Sequence, residues 1–172
     1  MGYVAAVPDI CDLILDDHET QRRRFAELDE HRDGPPEVLQ SHWGPLGVML
    51  ELHAAAEEEL FYPRLLAVGV EAKDETEDAI SDHNEIRDAV RRANDLQAGS
   101  DEWWDAVRAA RESNGDHMAE EERGALADLR AHDDPSIRAE LGARWVEYTT
   151  EHAGLRGLSV TDRDPDHYVE EH

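Results

Sequence analysis

Apolar residues return every three or four positions along most of this chain, and no stretch shows the strict alternation of a strand. A first segment, about 8 to 31, carries Ile10, Ile14, Phe25 and Leu28 on one stripe, with Asp9 placed to cap its start. Arg32-Asp33-Gly34-Pro35-Pro36 breaks it. A second segment, about 37 to 66, carries Leu46, Met49, Leu50, Leu60 and Phe61; Gly44-Pro45 predicts a kink or a late start, Pro63 an end or bend, and Gly69 the close. The third, about 74 to 96, aligns Ile80, Val90 and Ala93 with Ile86 or Arg87, and Ala98-Gly99-Ser100 turns the chain. The fourth, about 101 to 131, aligns Trp104, Val107, Ala110 and Leu129. Asp133-Asp134-Pro135-Ser136 ends it and caps a shorter fifth helix, about 136 to 152, with Leu141, Trp145 and Tyr148; residues 159–172 read as a frayed, flexible acidic tail.

Four long helices joined by short breaks predict an all-α fold: an up-down-up-down antiparallel four-helix bundle over residues 8–131, with the additional helix packed on it. Polar residues interrupt all four stripes. They are His18 on the first, His53 and Glu57 on the second, His83 on the third, and His117 and Glu121 on the fourth. The legs between them match. His18 lies about 14 residues, or roughly 21 Å of helix, from the first break, and the return to His53 takes about 16 residues, or roughly 24 Å. The second pair of helices has nearly the same legs, so the four imidazoles and two carboxylates are expected in one layer of the core. The pattern is a weak duplication: Asp17-His18 then His53-x-x-x-Glu57-Glu58, and Asp82-His83 then His117-x-x-x-Glu121-Glu122.

Each of these residues alone reads more simply as a satisfied core histidine or a solvated pair. All six at one level do not, because burying such groups uncompensated costs on the order of several kcal/mol each. Cations offset that cost. Imidazole and carboxylate without thiolate suit iron, and also manganese or zinc. Six protein ligands suit two ions, with both carboxylates available to bridge. No histidine of the layer follows a Glu-x-x-His pattern, since Leu15, Leu50, Ile80 and Asn114 stand three residues before them. That disfavours the ferritin-type carboxylate site.

Composition narrows the partners. The 172-residue chain suits one domain, and it has 42 acidic residues against 17 basic for a net charge of −25. A phosphate backbone would be repelled, so no nucleic-acid partner is expected. The acids fall between the apolar positions and read as solvated helix faces of the kind seen in salt-accumulating cells. No run is long enough for a membrane span. Met1–Pro8 lacks the features of a secretory signal, and Ala6 spoils a myristoylation motif after Gly2. One cysteine, Cys11, suits a reducing cytoplasm.

His18, the His53-x-x-x-Glu57-Glu58-x-Leu60-Phe61-x-Pro63 run, Asp82-His83 and His117-x-x-x-Glu121-Glu122 together resemble the hemerythrin-like, or HHE cation-binding, family over about residues 8 to 131. The resemblance implies a four-helix bundle around two non-haem iron ions, bridged by carboxylates and an oxo or hydroxo group, with zinc or manganese as substitutes. It implies His18, His53, Glu57, His83, His117 and Glu121 as the metal ligands. Family members carry, store or sense O2, and some handle iron, nitric oxide or peroxide. The expected function is therefore binding of O2 or a related small ligand, for storage or sensing. The alternative is a di-iron oxidase or peroxidase, or an iron donor for cluster repair. The chain departs from oxygen-carrying hemerythrins at Arg87, where they have a further histidine; one iron is then more open, or ligated by another carboxylate or water. On the fourth helix Glu121 shares the face of His117, whereas Glu122 is rotated away.

The remaining polar residues have plainer expectations. Asp17 and Asp82 read as surface acids, and Glu58 and Glu85 as solvated acids rather than partners of an imidazole. His42 suits a core or cap role, and His132 and His152 end helices. Trp103, Trp104 and Trp145 read as packing at the outer end of the bundle. The extra helix could cover one end of the bundle or mediate a homodimer.

Overall fold

The computed structural model describes residues 8–172; Met1–Val7, where the expectations about a signal or a myristoyl group fall, lie outside the described residues. Eight α-helices account for most of the chain, and no strand occurs among the described residues. They are α1 (Ile10–Glu30), α2 (Pro36–Ala56), α3 (Tyr62–Val68), α4 (Ala72–Asn94), α5 (Asp101–Arg123), α6 (Ala125–His132), α7 (Pro135–Glu151) and α8 (Pro165–Glu171). Together they form an all-helical bundle.

Local chemistry sets most of the boundaries. Asp9 accepts from the Cys11 N–H at 2.9 Å, Ser100 from Trp103 at 3.2 Å and Asp134 from Ser136 at 2.8 Å, satisfying donors that a helix start leaves free. Pro36, Pro135 and Pro165 stand in the first turns of α2, α7 and α8, where the missing N–H costs nothing. Gly44-Pro45 does not delay α2, which begins at Pro36 and runs through Pro45. Pro63 does not end the second segment either. It follows a π turn, Glu57–Phe61, in which the Tyr62 N–H reaches back five residues to the Glu57 carbonyl. The fourth segment is divided by Gly124, where an added Cβ would lie 2.5 Å from Glu75 Oε1. At Gly142 an added Cβ would lie 1.9 Å from the Pro8 carbonyl oxygen, so α7 crosses the start of α1 where no side chain fits.

The core divides into two apolar clusters. One gathers Phe25, Leu28, Trp43, Leu50, Ile86 and Trp103, with Trp43 and Trp103 edge to face at 6.0 Å. The other gathers Ile14, Phe61, Tyr62, Ile80, Leu126 and Trp145. Along α1 and α4, His18 and His83 fall between members of the two clusters, which encloses the polar layer in apolar side chains.

The tail differs from its expectation. Residues 165–171 form α8, capped by Asp164, and Tyr168 is only 2% exposed against α4 and the π turn. A single aromatic anchor and a capped start order what its acidic composition alone presents as frayed.

Candidate metal centre

The six residues singled out by spacing converge. His18, His53, Glu57, His83, His117 and Glu121 are each at most 4% exposed. Their inward atoms form two groups that share Glu57: His18, His53, Glu57 and Glu121 in one, Glu57, His83 and His117 in the other. Glu57 Oε1 lies 2.8 Å from His53 Nε2 and 3.9 Å from His18 Nε2. Its Oε2 lies 3.1 Å from His83 Nε2 and 3.7 Å from His117 Nε2. Glu121 Oε2 lies 3.2 Å from His18 Nε2. One carboxylate spans the layer, and the other serves one side.

Each ring is fixed from behind. His18 Nδ1 meets Glu122 Oε1 at 3.0 Å, His53 Nδ1 meets Asp17 Oδ2 at 3.1 Å, His83 Nδ1 meets Glu58 Oε1 at 2.9 Å and His117 Nδ1 faces Asp82 Oδ2 at 3.5 Å. An ionised carboxylate can only accept, so each ring keeps a proton on Nδ1 and turns Nε2 toward the layer. This is the arrangement that orients metal-binding imidazoles. It corrects three expectations, for Asp17, Asp82 and Glu58. Asp17 and Asp82 are not idle surface acids; each serves the histidine of the neighbouring helix rather than the one beside it in sequence. Glu58 is buried rather than solvated, and Glu122, though off the inner face, holds His18. Glu85 alone behaves as expected, on the surface beside Ser113 at 3.3 Å.

The electrostatics follow from this crowding. Burial disfavours charge on His53, but the Glu57 carboxylate and Asp17 overcome it and push the ring up to about 10. His117 is likewise pushed up to about 10, with Asp82, Glu57 and Glu121 outweighing burial. Burial works against ionised Glu57, yet His53, His117 and His83 hold its carboxyl well below the usual range. Even so, His18 Nε2, His53 Nε2, both Glu57 oxygens and Glu121 Oε2 make no hydrogen bond. Buried polar atoms brought this close without hydrogen bonds are donors suited to cations. The residues therefore fit two metal ions.

Two features were not legible from spacing. Tyr62 donates from its hydroxyl to Glu121 Oε1 at 2.6 Å, and burial with the nearby Glu121 charge holds that hydroxyl protonated, well above its ordinary range. It stands five residues after Glu57, which shares a face in a π turn but not in an α-helix; the clue was Pro63. Arg87, expected to leave a ligand position more open, is 2% exposed and donates to Glu58 Oε1 at 2.6 Å. Its charge is spent on a carboxylate behind His83. Trp145 is not at the outer end: its ring stands edge to face with His53 at 5.4 Å. Trp103 and Trp104 do pack away from the layer, and His42 stacks on His31 at 4.2 Å.

Comparison with known proteins agrees with the geometry. Residues 9–129 match the Hemerythrin HHE cation binding domain. The chain is 29% identical over 122 residues to a DNA nickase of Nostoc sp. (strain PCC 7120 / SAG 25.82 / UTEX 2576), covering 71% of this chain and 34% of that protein. It thus spans about a third of that relative's length. No solved structure matches the chain.

Proposed function

This chain belongs to the hemerythrin HHE cation-binding family, and from that premise we propose that it holds two iron ions and takes O2 or a related small ligand, for storage or sensing. The observation that carries this reading is the paired donor set, with Glu57 common to two groups and every imidazole backed by a carboxylate. His18, His53, Glu57 and Glu121 hold one ion; Glu57, His83 and His117 hold the other. Two iron ions held there would supply redox chemistry toward a small exogenous ligand. The chain does the rest. Burial keeps bulk water from the layer, the four carboxylates behind the rings fix their direction, and Tyr62 ties down one oxygen of Glu121 so that the other faces His18.

A cavity of about 70 Å³ lies against Tyr62, His117 and Glu121. It offers room for a small ligand beside His117 and Glu121. An alternating up-down order of the long helices is supported by pairs that run in opposite senses. His18 faces Glu122 while Asp29 faces Arg111, and His83 meets His117 while Glu85 meets Ser113. No helix among the described residues is long and apolar enough to cross a membrane. The relative's name concerns DNA; here a net charge of −25 opposes a phosphate backbone, and we assign no nucleic-acid partner.

Metal analysis by mass spectrometry, with absorption spectra of the reduced protein before and after air, tests this reading. Two irons per chain and a band that appears with O2 and vanishes on its removal are expected. Two irons that oxidise once and do not cycle would move the assignment to the oxidase, peroxidase or iron-donor reading. A chain without metal, whose melting temperature ignores chelators, would overturn both.

A further inference from the structure

Pro63 leaves a debt in the backbone of the π turn. The Tyr62 N–H, which in a regular helix would bond the Glu58 carbonyl, goes to Glu57 instead, and residue 63, next in line, has no N–H. The Glu58 carbonyl instead accepts from the buried Tyr168 hydroxyl, contributed by α8. The side chain of the same residue is held from the same direction. Arg163 Nε lies 2.6 Å from Glu58 Oε2, while Glu58 Oε1 meets His83 Nδ1 at 2.9 Å and Arg87 at 2.6 Å. The approach of the segment is fixed: Asn84 donates to the Arg163 carbonyl at 2.7 Å and accepts its N–H at 3.0 Å, and Arg91 pairs with Asp162 at 2.8 Å. Residues 162–168 lie outside the stretch that matches the family, 9–129. Yet they grip, by both backbone and carboxylate, the π-turn residue that backs the ring of His83.

We propose that this C-terminal segment is a positioning element of the metal centre: Arg163 and Tyr168 hold Glu58, Glu58 aims His83, and docking of the segment sets how tightly the ion between Glu57, His83 and His117 is kept. The proposal rests on the two-ion reading. It acts on one position only, because the rings of His18 and His53 are backed by Glu122 and Asp17, which the segment does not touch. Coupling of this kind is reciprocal, so loading the ion also holds the segment down.

The full-length chain loaded anaerobically with ferrous iron is challenged with rising chelator, and the iron retained is counted by mass spectrometry. The natural chain should release two ions; if it never held any, the two-ion reading fails before a variant is made. Arg163→Gln and Tyr168→Phe should each release one ion at about tenfold lower chelator, as expected for residues behind a ligand, with the other ion moved less than about twofold. His117→Ala identifies which ion that is. Arg163→Lys should recover most of the loss, and amide exchange over 162–171 should slow on loading the natural chain. Release of both ions together, or unchanged release of both in the two variants, overturns the proposal. Amide exchange over 162–171 that is indifferent to iron does the same.

Discussion

The two donor groups that share Glu57 grow from repeats of one sequence pattern, yet they are built unequally. The position around His18 and His53 has two imidazoles and two carboxylates, Glu57 and Glu121; that around His83 and His117 has two imidazoles and Glu57 alone. The surroundings differ too. Trp145 of α7 covers His53, whereas His83 is backed by a charged knot of Glu58, Arg87 and Arg163. The equivalent glutamates of the repeats, Glu57 and Glu121, have parted roles: one reaches both sides, the other is tied by Tyr62 and serves one. The repeated pattern provides the residue types, and packing around each copy decides how they are used.

The largest test of that asymmetry is Glu57→Gln. Removing the shared carboxylate should empty both positions, taking the metal count from two to none, whereas Glu121→Gln should spare the ion at His83 and His117. If Glu121→Gln emptied both, the division of labour would be wrong. Next come His53→Ala and His117→Ala, each expected to lose one ion and keep the other. Smaller effects belong to the carboxylates behind the rings. Asp17→Asn should weaken the ion at His53, and Asp82→Asn the ion at His117, each by about 10- to 100-fold. In Asp17→Asn the Nδ1 proton resonance of His53 rather than that of His18 should move, which separates the crossed pairing from a pairing along the chain.

The pH dependence is gentler, and its sign is fixed by the raised rings. His53 and His117 stand near 6.5 in the unfolded chain and at about 10 when folded. Protonation of each therefore stabilises the metal-free chain fully below about pH 6.5, and that contribution drains away as pH climbs to about 10. The melting temperature of the metal-free chain should fall across this window. Ion affinity should rise across the same window, since the Nε2 protons must leave, and calorimetry in buffers of different ionisation enthalpy should register their release. The smallest effect is expected at Arg22→Gln. This exposed arginine contacts Glu122 at 2.8 Å, and its loss should change stability by no more than about 1 kcal/mol.

Much of this was legible in the sequence, for identifiable reasons. Helical periodicity with the breaks at Gly34-Pro35 and Gly99 located the long helices, and equal legs placed His18, His53, His83 and His117 at one height. Those are properties of a straight helix, which spacing describes well. The misses share a different cause. Tyr62 lies beyond a turn with a different residue count, so a 3.6-residue period assigns it the wrong face. Asp17, Asp82 and Glu122 act across helices, and their direction depends on how neighbours are rotated, which a single stripe does not record. Arg87 reads as a lost ligand until its partner Glu58 is seen to be buried. Tyr168 is one aromatic in an acidic stretch, and composition hides an anchor that depends on a single buried ring.

The five-residue turn at Glu57–Phe61 also makes the centre sensitive to chain length rather than to residue identity alone. Deleting Glu59 would turn the five-residue reach from Glu57 to Tyr62 into the four of a regular helix, so Tyr62 would keep roughly its face while the turn lost its extra residue. Pro63 would then stand four residues after Glu58, where it offers no amide and its ring clashes with the carbonyl that Tyr168 reaches. The same deletion between Asp95 and Ser100 would shorten a connection far from the layer. One extra residue in one helix is thus a fixed tolerance of this architecture, and natural variation in length should crowd into the loops and spare that turn.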